Sequence, residues 1–322
     1  MIMAEIGKDI AKASQLLMAG ELVAIPTETV YGLAGNALNP ASIAKIFSVK
    51  DRPSFDPLIV HVESLTKASE CVTEIPDVAK KLIDRFWPGP LTLLLKKSKK
   101  ISDLVTAGMD TVGIRCPNHP MTLALLSQLD FPLAAPSANP FGYVSPTTPA
   151  HVNEQLGNKI HYILDGGSCE VGIESTVLGF EKGKPVIYRF GGLSQEKIEA
   201  VIGKVGSKIQ STSNPKSPGQ LISHYAPTKR VILGNLTELV KTYATQAPGI
   251  LAFQKTVMEA DPKHQLVLSP TGDLEEAAQN LFSSLRELDK MKIDLILAEE
   301  VPDMGLGKAI NDRLRRAAKN KV

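Results

Sequence analysis

Short apolar runs alternate with stretches of helical periodicity along most of this chain, and that alternation confines it to an α/β fold. Residues 22–25, 58–62, 91–95, 112–114, 133–135, 160–164, 176–180 and 186–188 read as buried strands. Between them, residues 8–19 place Ile10, Ala13, Leu16 and Leu17 on one helical face and stop at Gly20. Residues 41–49 read as a helix. Pro76 is expected to open another as its first residue, with Val78, Ala79, Leu82, Ile83 and Phe86 facing inward. Many strands with helices between them predict a mixed, twisted sheet.

The pattern breaks near residue 204. Residues 207–227 are rich in Ser, Thr, Asn, Pro and Gly and carry neither periodicity, which marks a linker or a functional lid. Strand-like runs then resume at 231–233, 250–253, 266–268 and 293–298. Leu274, Ala277, Ala278, Leu281, Phe282, Leu285 and Leu288 form an amphipathic helix. This second pattern predicts a smaller, doubly wound, Rossmann-like parallel sheet. A length of 322 residues suits two such units. The expected division is a catalytic domain over 1–206, a linker or lid over 207–228 and a C-terminal domain over 229–322.

Composition narrows the function. Lys plus Arg number 36 against 34 Asp plus Glu, a net charge of +2, so an anionic ligand needs a local cluster of cations. Three cysteines, Cys71, Cys116 and Cys169, with no CxxC pair argue against a disulfide framework and against a zinc site. No apolar run is long enough to span a bilayer, and the first residues, with Glu5, Lys8, Asp9 and Lys12, lack the apolar stretch of a signal peptide. A cytoplasmic protein is expected.

Five segments carry candidate chemistry. Pro26-Thr27-Glu28-Thr29-Val30-Tyr31-Gly32-Leu33 follows a buried strand, where ligands of α/β sheets sit. It also reads as a polar turn with Thr27 or Thr29 capping a helix. Lys50-Asp51-Arg52-Pro53 puts two cations in a Pro-locked turn, suited to a polyphosphate, and is followed by Asp56-Pro57-Leu58-Ile59-Val60-His61. Arg115 ends a buried strand that starts near Thr111, so it needs a partner: a substrate carboxylate or an internal acid. Ser137-Ala138-Asn139 and Ser145-Pro146-Thr147 offer small directional groups after another strand. Asp165-Gly166-Gly167, Gly172-Ile173-Glu174-Ser175-Thr176 and Arg189 complete the set. Neither a GxGxxG nor a Walker loop is present.

In this order the segments resemble the threonylcarbamoyl-AMP synthase family, whose catalytic part is a YrdC-like domain. Ser217-Pro218-Gly219, His224-Tyr225-Ala226-Pro227 and Ala309-Ile310-Asn311-Asp312-Arg313-Leu314 are similar to its long, two-domain form. The resemblance implies ATP-dependent synthesis of L-threonylcarbamoyladenylate from L-threonine and bicarbonate, with pyrophosphate released. It implies Lys50 and Arg52 as catalytic residues. Thr29, His61, Arg115, Ser137 and Ser175 are implied around L-threonine. Lys50, Arg52, Asp56, Thr111, Asn139, Ser145, Arg189 and Tyr225 are implied at ATP. Asp56 departs from the asparagine common in the family. Mg²⁺ is expected to arrive with ATP, without a dedicated protein site. The product is expected to serve a separate tRNA-modifying transferase complex, with direct tRNA binding weak or absent. Two alternatives are a carbamoyl-adenylate enzyme of hydrogenase maturation, whose CxxC repeats are missing, and an RNA-binding module built on the basic stretches 96–100 and 313–321.

Overall fold

A computed structural model describes residues 3–209 and 225–319. Ser217-Pro218-Gly219 and His224, expected in the linker, lie outside the described residues.

The first domain is built on a mixed, 11-stranded sheet. Its central strands are Gly32–Asn36, Leu133–Ala134, Ile59–His61, Thr111–Arg115 and Leu91–Lys96, in that spatial order. Ile59–His61 and Thr111–Arg115 run parallel, with His61 opposite Arg115, so two strands end side by side. The Val23–Ile25 strand is buried on both faces, as its unbroken apolar run predicts. Ala24 faces one core with Leu33, Val60 and Leu93, and Val23 and Ile25 face another with Leu17, Leu125 and Leu164.

Helices fall close to their expected places. Ile10–Met18 is capped by Asp9, whose carboxylate accepts the Lys12 N–H at 3.0 Å. Pro40–Lys50 is capped by Asn39 and ends in the left-handed region at Asp51, φ 52°. The next helix is Asp77–Phe86, with Pro76 as the cap residue ahead of it, one place outside the position expected. After the Val23–Ile25 strand the chain turns directly into the antiparallel Gly32–Asn36 strand. No helix follows for Thr27 or Thr29 to cap. Thr27 instead closes the turn, its hydroxyl donating to the Val30 carbonyl at 2.6 Å.

The C-terminal domain carries a four-stranded sheet in the order Arg230–Leu233, Leu295–Ala298, Pro248–Ala252, Gln265–Val267, parallel throughout. Ile250, Ala252, Leu295 and Leu297 pack with Leu236 and Val240 of the Leu236–Thr242 helix. Leu251 and Ile296 face the opposite way, into Leu274–Lys290 and Gly307–Ala317. The sheet is therefore doubly wound.

The two sheets do not keep separate cores. Val30, Val144 and Ile173 of the first domain belong to the same buried cluster as Ala278, Phe282, Ile310 and Leu314 of the second. Arg286, 2% exposed, donates to the carbonyls of Val144 and Ser145 at 2.5 and 3.3 Å. Asp289 takes the Tyr143 hydroxyl at 2.7 Å and the backbone N–H groups of Thr228 and Lys229 at 3.0 and 2.9 Å. The Gly206–Ser207 strand pairs with the first sheet, so that sheet reaches into the segment expected as linker.

Candidate active site

A polar cavity opens where the parallel strands end. Its walls come from eight places in the chain, most of them fixed by a local feature. The turn after Val23–Ile25 supplies Thr27, Val30 and Gly32. The left-handed turn at Asp51 breaks the Pro40–Lys50 helix and turns Arg52 inward. Strand ends supply His61, Arg115 and Arg189. The loops after Leu133–Ala134 and before Thr176–Glu181 supply Ser137, Glu174 and Ser175. Tyr225 closes one side. It holds φ at 64°, a conformation that an aromatic residue adopts only when its surroundings impose it. Its ring stacks on Phe282 at 5.6 Å between centroids.

Three arginines line this one cavity, and each is held by buried oxygen. Arg52 Nη2 lies 2.9 Å from Asp56 Oδ2 and donates to the Pro57 carbonyl at 2.8 Å. Arg115 Nη2 lies 2.7 Å from Glu28 Oε2, an ion contact at 5% and 4% side-chain exposure. Neither group of that second pair makes a hydrogen bond of ordinary geometry there. Arg189 donates to the Ser175 carbonyl from Nε and Nη2, at 3.1 and 2.9 Å. Glu174 accepts from Ser145 Oγ at 2.5 Å, and its other oxygen from Nε and Nη2 of Arg313, both at 3.1 Å. The carboxylates of Glu28 and Asp56 meet Arg115 and Arg52 as ion contacts without a hydrogen bond of ordinary geometry, and at or behind the wall His61 Nδ1 and Asn139 Oδ1 are buried with no hydrogen-bond partner among the described residues. Such groups are uncommon in native interiors and point to a bound polar partner.

Burial, and after it the charge of Arg115, pulls the His61 pKa down to about 3, so its imidazole is neutral at neutral pH. An unfolded histidine titrates near 6.5, so the unfolded chain takes up this proton first as the pH falls. The contribution of His61 to stability is therefore full above about pH 6.5 and is lost on acidification toward pH 3, by up to about 1.4 kcal/mol per pH unit. Urea unfolding at pH 7 and pH 5 is expected to show a smaller loss for His61→Gln than for the wild type. Equal losses would mean that His61 is not held neutral.

Of the expected site residues, His61, Arg115, Ser137, Ser175, Arg52, Arg189 and Tyr225 line the cavity together. The others stand behind it or apart. Lys50 is 1% exposed and its Nζ donates to the carbonyls of Ser137 and Asn139, 2.5 Å each, so it staples that loop from behind. Burial and then Arg52 hold its pKa well below the ordinary lysine value. Asp56 sits behind Arg52. Thr29 shares a 2.9 Å hydrogen bond with Thr27, the residue that reaches the cavity. Asn139 spends its amide N–H groups on the Pro140 and Tyr143 carbonyls, and Ser145 spends its hydroxyl on Glu174. Thr111 lies at the far end of the strand from Arg115, on a separate small cavity with Pro57 and Ile59. Two acids were not picked out as site residues. Glu174 lines the wall and Glu28 answers the open question about Arg115, since an internal acid is present. Glu28 stands in the 26–33 segment and Glu174 in the 172–176 segment, but nothing local shows that each meets an arginine far along the chain.

Comparisons with known proteins agree with this architecture. Residues 15–191 match the Sua5/YciO/YrdC family, described as telomere recombination. Residues 193–319 match the threonylcarbamoyl-AMP synthase C-terminal domain. The threonylcarbamoyl-AMP synthase of Pyrococcus abyssi is 41% identical over 95% of this chain and 93% of its own. That of Bacillus subtilis is 42% identical over 97% and 94%. The crystal structure of P. abyssi Sua5 complexed with L-threonine superposes with a TM-score of 0.91 at 38% identity, covering 99% of this chain and 98% of that one. With both parts of the chain matched and the relatives spanned almost end to end, this chain belongs to the threonylcarbamoyl-AMP synthase family.

Proposed function

We propose that this chain condenses L-threonine, bicarbonate and ATP to L-threonylcarbamoyladenylate and pyrophosphate. The observation that carries the proposal is the convergence of Arg52, Arg115 and Arg189 with His61, Ser137, Ser175 and Tyr225 on one cavity. Relatives that carry this activity as their name are 41% and 42% identical over nearly their whole length.

The chemistry needs no enzyme nucleophile. The threonine amine adds to bicarbonate with loss of water, and a carbamate forms. A carbamate oxygen then bonds to the α-phosphorus of ATP. The bond between that phosphorus and the α,β-bridging oxygen breaks, and pyrophosphate leaves. Positioning and charge stabilisation suffice for both steps. Arg115 pairs with Glu28 and still lines the cavity, and it takes the threonine carboxylate as a second partner, with Thr27 and Thr29, His61, Ser137 and Ser175 around the amino acid. Arg52 and Arg189 face the phosphates. Lys50, Asp56, Asn139 and Ser145 hold the walls in place and Tyr225 covers the nucleotide, while Thr111, on its separate cavity, is given no part in the site. Among the described residues no three His, Cys, Asp or Glu stand together as a metal cage. Asp56, the acid beside Arg52, is already engaged by it. Mg²⁺ is proposed to arrive on the triphosphate, where it would screen phosphate charge.

The product is a mixed anhydride, competent to pass its threonylcarbamoyl group to a tRNA adenosine in a separate transferase complex. Direct tRNA binding is not favoured. Lys97 pairs with Asp103, Lys100 with Glu70, Arg315 with Glu300 and Arg316 with Asp312, so part of each basic stretch is neutralised locally. Among the described residues no helix is long and apolar enough to cross a membrane, and Cys71, Cys116 and Cys169 are free thiols. We place the protein in the cytoplasm.

Pyrophosphate release is the test. It is expected only when L-threonine and bicarbonate are both present. Serine is expected to be used less well, since one missing methyl group costs about 1–3 kcal/mol. Equal turnover with alanine and threonine would contradict the proposal.

A further inference from the structure

The Gly307–Ala317 helix belongs to the C-terminal domain, yet one of its side chains reaches the wall of the cavity. The Arg313 side chain has no exposed surface. Nε and Nη2 donate to Glu174 Oε2 at 3.1 Å each, and Nη1 donates to the Phe190 carbonyl at 2.6 Å. Its guanidinium lies 5.3 Å from the Tyr225 ring centroid. One side chain thus touches the acid of the wall, the residue after Arg189, and the aromatic cover.

The acid is the important partner. Glu174 is buried and lines the same cavity as Arg52 and Arg189. A carboxylate there opposes a polyphosphate unless its charge is cancelled, and in a low-dielectric wall that repulsion is hardly screened. Among the described residues Arg313 is the cation hydrogen-bonded to Glu174. Its own neighbours, the Ser145 hydroxyl and the Arg313 fork, occupy both carboxylate oxygens. Arg52 and Arg115 have acids of their own, Asp56 and Glu28.

We infer that Arg313 is a positioning residue for ATP: it neutralises Glu174, so the cavity accepts a triphosphate only while the C-terminal domain is docked. This rests on the adenylation reading above. It gives the second domain a part in the site itself, through a contact that the first domain has no means of supplying alone.

The test compares Arg313→Met, which keeps the apolar stem, with the double variant Glu174→Gln/Arg313→Met, which removes both charges. ATP affinity is read directly by titration calorimetry, so the comparison holds whether or not the wild type turns over threonine. KM for ATP and for L-threonine is read from pyrophosphate release. Breaking a buried pair leaves an uncompensated charge, whereas removing both members does not. Arg313→Met is therefore expected to weaken ATP by about tenfold or more, with the L-threonine KM within about twofold of wild type. The double variant is expected to recover most of the lost affinity. Wild-type ATP affinity in folded Arg313→Met would overturn the inference. So would equal damage to both substrates with no recovery in the double variant. Should Arg313→Met not fold, Glu174→Gln is compared with the double variant. Once Glu174 is neutral, removing Arg313 is expected to change ATP affinity by less than about threefold, and a further tenfold loss would overturn the inference.

Discussion

Replacing Arg52 with alanine is expected to lower kcat/KM for adenylation by about 10²–10³-fold, the usual cost of losing one donor at a transition state where charge moves. Arg52 lines the cavity through a side chain only 3% exposed, and the backbone carbonyls of Asp56 and Pro57 hold its fork at 3.2 and 2.8 Å. Its rotamer is thus set before any phosphate arrives. The same change strands Asp56, whose pKa burial holds above the ordinary carboxylate value even against the opposing charges of Arg52, Lys50 and Arg189. Part of the loss in Arg52→Ala therefore reflects a carboxylate without its counter-charge. Arg52→Ala/Asp56→Asn removes that part. Stability is expected to return in the double variant while turnover stays low, because the phosphate contact is still missing. Arg52→Lys should fall between, since an ammonium replaces the charge but not the planar fork. Near wild-type kcat/KM for ATP in folded Arg52→Ala would remove Arg52 from the phosphate site.

The second large effect is expected at a glycine. Gly172 holds φ at +76°, and a Cβ there would stand 2.4 Å from Gln279 Cα and 2.6 Å from the Ala278 carbonyl oxygen. These are backbone atoms of the Leu274–Lys290 helix, so the strain is relieved only if the helix or the loop moves. Gly172→Ala combines left-handed strain with overpacking and is expected to cost about 2–5 kcal/mol of stability. Ile173, Glu174 and Ser175 follow immediately, so activity should fall with it. Gly183 is the control. It has φ +77° in the turn between Thr176–Glu181 and Lys184–Arg189, with nothing within 4 Å of an added Cβ. Gly183→Ala should therefore show the backbone term alone, about 1–2 kcal/mol. Equal losses for the two variants in urea unfolding would mean that the domains do not approach closely at Gly172.

The legible parts of this molecule are those decided locally. The Val23–Ile25 strand announces itself by an unbroken apolar run, and the Leu274–Lys290 helix by its repeat of buried residues. The Gly32–Asn36 strand does not. Gly-Leu-Ala-Gly-Asn has no β-branched residue, and its glycines serve packing: a Cβ on Gly35 would lie 2.9 Å from Leu22 Cδ2. Cationic site residues could be found as a set, but not their partners. Lys50 was expected at the phosphates, and its Nζ instead holds the carbonyls of Ser137 and Asn139, a contact between distant parts of the chain. Arg115 with Glu28, and Glu174 with Arg313, are pairings of the same kind. Motif spacing reports which side chains emerge at a strand end. It does not report which of them the fold then turns toward one another.

The contact between Glu174 and Arg313 spans 139 positions of sequence. During synthesis the 11-stranded sheet leaves the ribosome well before the Gly307–Ala317 helix exists. In that interval Val30, Val144 and Ile173 lack the helices that bury them, and Glu174 lacks its counter-ion. Chains elongate at about 5–20 residues per second, so this stage lasts seconds, much longer than the collapse of a domain. A nascent chain therefore holds every arginine of the cavity before it holds a working wall, and a chain terminated early would bind nucleotide poorly by construction. Competence arrives with the Gly307–Ala317 helix, so the synthesis of that helix is a checkpoint on the whole site.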